Sequence, residues 1–163
     1  MHHEAYDWIK ACRRNIKIAE LGSRNVNGSV RDLFPDADYT GVDREGTSAE
    51  GVDIQADAKV WDGGRKRYDI VITTEALEHE EGWREILITA HQILKPGGYL
   101  FATCAGTGRD PHSVDGGPLK EGEYYGNVSA PEMSKALYEI GFINIVCQKH
   151  GTDTQASAQK KLG

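Results

Sequence analysis

Four acids fall at the ends of short apolar runs, and their placement defines the chemistry open to this chain. Glu20 closes Ile16-Lys17-Ile18-Ala19, Asp43 follows Tyr39-Thr40-Gly41-Val42, and Asp57 follows Val52-Asp53-Ile54-Gln55-Ala56. Glu75 follows Tyr68-Asp69-Ile70-Val71-Ile72-Thr73-Thr74 in the same way. If each run is a strand of an open α/β sheet, all four side chains face the crevice outside the carboxyl ends of the strands, where such sheets hold ligands. Arg24 and Arg44 are the nearby cations. A carboxylate at Glu20 repels a pyrophosphate but suits an ammonium or a sulfonium, and Asp43 can accept two hydrogen bonds from a ribose diol. The crevice therefore suits a cationic nucleoside better than a dinucleotide.

The loop after Glu20 adds to this reading. Residues 16–30 read as strand, tight loop and helix, with Gly22 and Gly28 bracketing Ser23, Arg24, Asn25, Val26 and Asn27. Glycine lets bare backbone approach a ligand, and a helix that follows presents unpaired N–H groups to it. The two glycines do not form the spaced three-glycine fingerprint of dinucleotide sites, so a plain strand-to-helix turn stays open for this stretch taken alone.

The elements that must position these residues alternate between strand and helix without repeats or low-complexity tracts. Ala5, Trp8, Ile9 and Cys12 follow helical spacing. The helix after the first loop is expected to open near residues 27–29 and to stop by Phe34-Pro35, because proline disfavours helical geometry in the residue before it. Ile86, Leu87, Ala90, Ile93 and Leu94 predict an amphipathic helix ending at Lys95-Pro96-Gly97-Gly98, ahead of a strand over 99–104. Met133, Ala136, Leu137 and Ile140 predict another, with Ser129 and Glu132 spaced as a capping box and Gly141 at its stop. A strand over 142–147 follows. Residues 154–160 alternate weakly and read as an antiparallel edge strand or as part of a frayed tail over 151–163.

Taken in order, these segments resemble the class I S-adenosylmethionine-dependent methyltransferases, in particular the small type 11 group, over most of the chain. Glu20-Leu21-Gly22-Ser23 is similar to that family's first motif, Asp43 to its ribose-binding acid and Ala56-Asp57-Ala58 to its adenine-contacting segment. Asp69 through His79 resembles the fourth-strand motif, and His91 through Leu100 the helix-to-strand segment that follows it. The first motif departs from the pattern: where closely spaced glycines are usual, this chain has Arg24, Asn25, Val26 and Asn27 before Gly28. The resemblance implies a Rossmann-like, doubly wound sheet, mostly parallel with an antiparallel last strand, built as a single domain over 1–163. It implies S-adenosylmethionine as cofactor and S-adenosylhomocysteine as product. Glu20, Gly22, Ser23, Arg24, Asn27 and Gly28 would hold the methionine part, Asp43 and Arg44 would lie at the ribose, Asp57 and Ala58 at the adenine edge, and Thr74 near the methyl-transfer site. The acceptor is not legible.

No catalytic residue stands out, and four are candidates. The interval 105–128 has no periodicity and carries Arg109, His112, Asp115, Glu123, Tyr124 and Tyr125; long loops in compact domains are usually functional or disordered. Emerging after the fifth strand, it would reach the cofactor end of the sheet as an acceptor-binding loop. His112 is either a general base or a solvated loop histidine, and Tyr124 or Tyr125 is either an orienting aromatic or an anchor. His79 reads more readily as packing beneath the loop than as a proton carrier, and Glu75 as an acceptor contact or a helix-start acid.

Composition sets the outer limits. The 163 residues are 39% hydrophobic and 27% charged with a net charge of −6, which disfavours a nucleic-acid track. No apolar run approaches the ~20 residues that span a bilayer, so a membrane partner is not expected and a cytoplasmic location is. Cys12, Cys104 and Cys147 are odd in number and widely spaced, the pattern of reduced core thiols, and no spacing announces a metal site. Oligomeric state is open. The alternative from a different class is a non-catalytic binding module or partner subunit that keeps the fold, supported by the altered first loop.

Overall fold

The computed structural model describes residues 15–163, so the helix expected around Ala5, Trp8, Ile9 and Cys12 lies outside the described residues. Seven strands form one sheet: β1 (Lys17–Leu21), β2 (Asp38–Asp43), β3 (Ile54–Gln55), β4 (Tyr68–Thr74), β5 (Leu94–Ala105), β6 (Phe142–His150) and β7 (Asp153–Lys160). Their order is β3-β2-β1-β4-β5-β7-β6. The first five are parallel, and β7 runs antiparallel to both β5 and β6. Two helices, α1 (Trp83–Ile93) and α2 (Ala130–Ile140), are the crossovers before β5 and β6.

Alternation within the strands divides the sheet into two faces. Ala19, Leu21, Val71, Leu100, Ala102 and Cys104 pack with Ile86, Leu87, Ala90 and Ile93 of α1 and Met133, Ala136 and Leu137 of α2 into the main core. On the opposite face Ile18, Tyr39 and Ile72 are covered by Val30, Phe34 and Ala37. That face continues to Tyr99 and Phe101 of β5, whose stacked rings are 44% and 46% exposed.

Several elements match the sequence. The strand over Tyr68–Thr74, helix α1 and the Ser129–Glu132 capping box of α2 all form, and Gly141 ends α2 in the left-handed conformation. The other elements differ in instructive ways. The helix expected from residues 27–29 is replaced by a single 3-10 turn over Arg31–Leu33. Short side chains form local turns with the backbone here, which compete with a continuous helix: Asn25 Oδ1 accepts the Gly28 N–H (2.8 Å), and Ser29 Oγ accepts the Arg31 N–H (3.1 Å). The strand expected over 52–56 shrinks to Ile54–Gln55 because the Asp53 carboxylate accepts the Gly41 N–H at 2.7 Å in place of a ladder bond. Residues 95–98 belong to β5 rather than to a turn, looped out of register between the Tyr68–Leu94 and Ile70–Tyr99 pairs. Finally, β7 is neither frayed nor an edge: it inserts between β5 and β6, leaving β6 at the rim.

Candidate functional site

A cleft of about 710 Å³ opens at the carboxyl ends of β1, β2 and β4, within the size range of small-molecule sites. Its walls include Glu20, Gly22, Ser23, Arg24, Asn27, Gly28, Asp43, Arg44, Asp57, Ala58 and Thr74, so every residue assigned to the cofactor from sequence lies on one surface. Glu75, His79 and His112 line it too. Tyr124 does not; it borders a smaller neighbouring hollow beside Lys59 and Glu81, and is 42% exposed.

The acids Glu20, Asp43 and Asp57 are held in place by the protein's own donors. Glu20 is 4% exposed and its Oε2 accepts the Tyr39 hydroxyl at 2.6 Å. Burial raises its pKa, with the Tyr39 bond and Arg31 opposing. The Tyr39 hydroxyl is pushed well above its ordinary value by burial and then by Glu20, so it stays the donor. Asp43 accepts the backbone N–H of Arg24 (3.1 Å) on one oxygen and that of Glu45 (3.2 Å) on the other. Asp57 Oδ1 accepts the Lys59 N–H at 2.9 Å. A carboxylate oxygen accepts more than one bond, so each keeps capacity toward the cleft while its direction is fixed.

Gly22 makes the turn out of β1 possible. Its φ of +79° lies in the left-handed region, and a Cβ there would stand 2.5 Å from the Ala76 Cβ. The Gly22 and Ser23 N–H groups both donate to Val42 O, folding the loop back on β2. Ser23, nearly buried, gives its hydroxyl to Gly51 O at 3.0 Å, which leaves its backbone to line the wall. With no α-helix after the loop, no set of free helix N–H groups faces the ligand, and the expectation of one is corrected. The missing helix N-terminus agrees with an acidic rather than an anion-binding cleft.

The two arginines are engaged in ion pairs. Arg44 pairs with Glu80, and Arg24 reaches Glu50 (3.6 Å), Glu45 (3.7 Å) and Asp115 (2.9 Å). The Arg24–Asp115 pair ties the first loop to the 105–128 segment across the cleft mouth, with Asn27 Nδ2 3.7 Å from the point where a Gly116 Cβ would stand. That segment is itself cross-tied: Ser113 Oγ donates to Glu123 at 2.8 Å, Lys120 Nζ to Asp115 at 2.5 Å, and Asn127 Nδ2 to Arg109 O at 3.0 Å. Arg109 also pairs with Asp153 of β7 at 2.6 Å on the far wall.

The part of the cleft beside Glu75, His79 and His112 is built differently. Glu75 has a φ of +51°, an uncommon conformation outside glycine, and its Oε1 accepts the Thr103 hydroxyl at 3.0 Å. A one-turn 3-10 helix over Leu77–His79 follows β4 and buries Glu78 completely. Neither Glu78 oxygen has a hydrogen-bond partner, and burial pushes its pKa up to about 7. His112 Nε2 stands 3.9 Å from Glu78 Oε1. The His79 and His112 rings meet edge to face at 5.0 Å, and Tyr125 closes the group at 5.7 and 5.0 Å from them. Burial lowers the His79 pKa, with His112 adding to the effect. The Tyr125 and Thr73 hydroxyls are buried without partners. Sequence reasoning gave Glu78 no role: the group joins residues from two distant segments, and no local spacing marks it.

Fold and cleft together define a Rossmann-like methyltransferase architecture of the class I, S-adenosylmethionine-dependent kind, with seven strands and an antiparallel β7. Residues 10–145 match a family model described as a methyltransferase domain, and the chain belongs to that family. No curated protein sequence matches it. Among solved structures, an S-adenosylmethionine-dependent methyltransferase from Methanosarcina mazei is 13% identical with a TM-score of 0.69, covering 100% of this chain and 99% of that one. The Burkholderia thailandensis 1,6-didemethyltoxoflavin-N1-methyltransferase, with 1,6-didemethyltoxoflavin and S-adenosylhomocysteine bound, is 15% identical with a TM-score of 0.66, covering 98% and 77%. The [4+2]-cyclase SpnF is 12% identical with a TM-score of 0.67, covering 98% and 82%. Among the described residues no helix is long and apolar enough to cross a membrane.

Proposed function

We propose that this chain transfers the methyl group of S-adenosylmethionine to an acceptor heteroatom by in-line displacement, with the cofactor in the acidic half of the cleft and the acceptor beneath the 105–128 loop. The observation that carries this reading is the convergence of Glu20, Asp43 and Asp57 on one cleft of about 710 Å³. Bound there, the cofactor supplies an electrophilic methyl carbon on a sulfonium sulfur. Glu20, aimed by Tyr39, offers a carboxylate to the ammonium of the methionine part, with the backbone at Gly22, Ser23, Asn27 and Gly28 as the adjoining wall. Asp43 would accept the ribose hydroxyls, Asp57 and Ala58 would face the adenine edge, and Thr74, which lines the same cleft, would lie near the methyl-transfer site. Arg24 and Arg44 neutralise neighbouring acids rather than contribute free positive charge.

The reaction needs the nucleophile held close and aligned more than it needs a strong base. Glu75, His79 and His112 are placed to contact an acceptor, whereas Tyr124 lies outside the cleft, and no general base is assigned. The chain thus reads as one methyltransferase domain.

A non-catalytic binding module is the second reading, favoured by the loss of the helix after β1. Incubation with methyl-labelled S-adenosylmethionine and fractionated acceptor pools separates the two. Labelled product formed together with S-adenosylhomocysteine supports transfer. Tight S-adenosylhomocysteine binding with no turnover in any pool supports the module, and no binding at all overturns both assignments of the cleft.

A further inference from the structure

We propose that Glu78, His79 and His112 form a binding site for one divalent first-row transition ion, of the Zn²⁺ type, at the acceptor end of the cleft. One ligand atom from each residue lies within 4.8 Å of the other two. Zinc bonds of about 2.0–2.2 Å place tetrahedral ligands roughly 3.4 Å apart, so side-chain rotations of about an ångström close the set. Two imidazoles and one carboxylate favour Zn²⁺, Co²⁺ or Fe²⁺ over Mg²⁺ or Ca²⁺, which prefer oxygen.

Three further features point to a cation. Glu78 is 0% exposed and both of its oxygens lack hydrogen-bond partners, a costly state for a carboxylate that a metal would relieve. Among the described residues its one ion-pairing neighbour within 4 Å is His112. The His112 ring is in turn oriented as metal-bound histidines are: Nδ1 stands 3.2 Å from Asp110 O. With the proton on Nδ1, the ring donates to that carbonyl and turns the lone pair of Nε2 toward Glu78. The buried Tyr125 hydroxyl, also without a partner, lies beside both imidazoles where it can bond to a metal-bound water. His79 and His112 line the cleft, so the remaining coordination positions open toward the acceptor. An oxygen ligand of the acceptor would complete the shell, a consequence that rests on the methyl-transfer reading, whereas metal binding itself does not.

The test is calorimetry and cobalt absorption spectroscopy on the full chain, with His2→Ala and His3→Ala in every sample to remove the adjacent histidines as competing ligands. Zn²⁺, Co²⁺ and Mg²⁺ are the probes. The expected result is one Zn²⁺ or Co²⁺ per chain, intense visible bands with Co²⁺ and no saturable Mg²⁺ binding. His112→Ala, in the loop, and Glu78→Gln, of matching volume, should each weaken Zn²⁺ at least tenfold. S-adenosylhomocysteine binding by His112→Ala checks that its cleft is intact. Zn²⁺ affinity unchanged in His112→Ala, or no saturable Zn²⁺ binding by the parent chain, overturns the site, and neither result touches the cofactor assignment.

Discussion

The two halves of the cleft contrast in how their polar groups are satisfied. In the cofactor half Glu20, Asp43 and Asp57 each accept a bond from a fixed donor: the Tyr39 hydroxyl, the Arg24 and Glu45 amides, and the Lys59 amide. In the acceptor half Glu78, Tyr125 and Thr73 hold buried polar atoms with no partner, and Glu75 has a left-handed backbone. Most buried polar groups in folded proteins are bonded, so orphaned ones mark a place where something is missing or stored. The first half is preorganised around spare acceptor capacity. The second holds orphaned groups that the proposed metal site would satisfy.

Four substitutions sharpen this contrast. The largest effect is expected for Asp43→Ala. Losing charge-assisted bonds to the ribose should cost about 1.5–3 kcal/mol, roughly tenfold to more than a hundredfold in S-adenosylhomocysteine affinity by calorimetry. Unchanged affinity would refute the ribose assignment. Gly22→Ala comes next, combining a left-handed backbone with a Cβ 2.5 Å from that of Ala76. We expect a stability loss of about 1–3 kcal/mol in denaturant titration, together with weakened cofactor binding.

Glu20→Gln should act through pH. The raised pKa of Glu20 means that the folded chain holds this proton more tightly than the unfolded chain does. Its stabilisation is complete below the unfolded value and is lost as pH rises through the folded one. The melting temperature of Glu20→Gln should therefore gain on that of the parent as pH rises from acid to neutral, while its affinity for the ligand's ammonium group falls; a pH-independent difference contradicts this. Smallest is Arg24→Ala. Its pair with Asp115 is exposed and screened by solvent, so the fold should stay stable while hydrogen exchange quickens around residues 113–117. No change in exchange would mean that the tie across the mouth is incidental.

The legibility of the two halves in the sequence differs for the same physical reason. Strand-end acids recur after runs with a local pattern, so Glu20, Asp43, Asp57 and Glu75 could be placed from periodicity and sheet topology alone. The capping box at Ser129 and the Gly141 stop are equally local, and α2 followed them. The helix after the first loop is replaced by local turns at Asn25 and Ser29, a competition of short side chains that apolar spacing does not register. Glu78 and His112 are 34 residues apart in sequence and meet only because the 105–128 loop folds back over the turn after β4. Nothing short of the fold juxtaposes them.

The most direct test of the central claim is thermal unfolding of the chain with S-adenosylhomocysteine, S-adenosylmethionine and NAD in parallel. Ligand at about 100 times its dissociation constant adds roughly 2.7 kcal/mol, which for a chain of this size raises the midpoint by about 5–10 °C. That shift is expected with the two adenosyl-sulfur ligands and none with NAD. No shift with either sulfur ligand at millimolar concentration, or an equal shift with NAD, would contradict it.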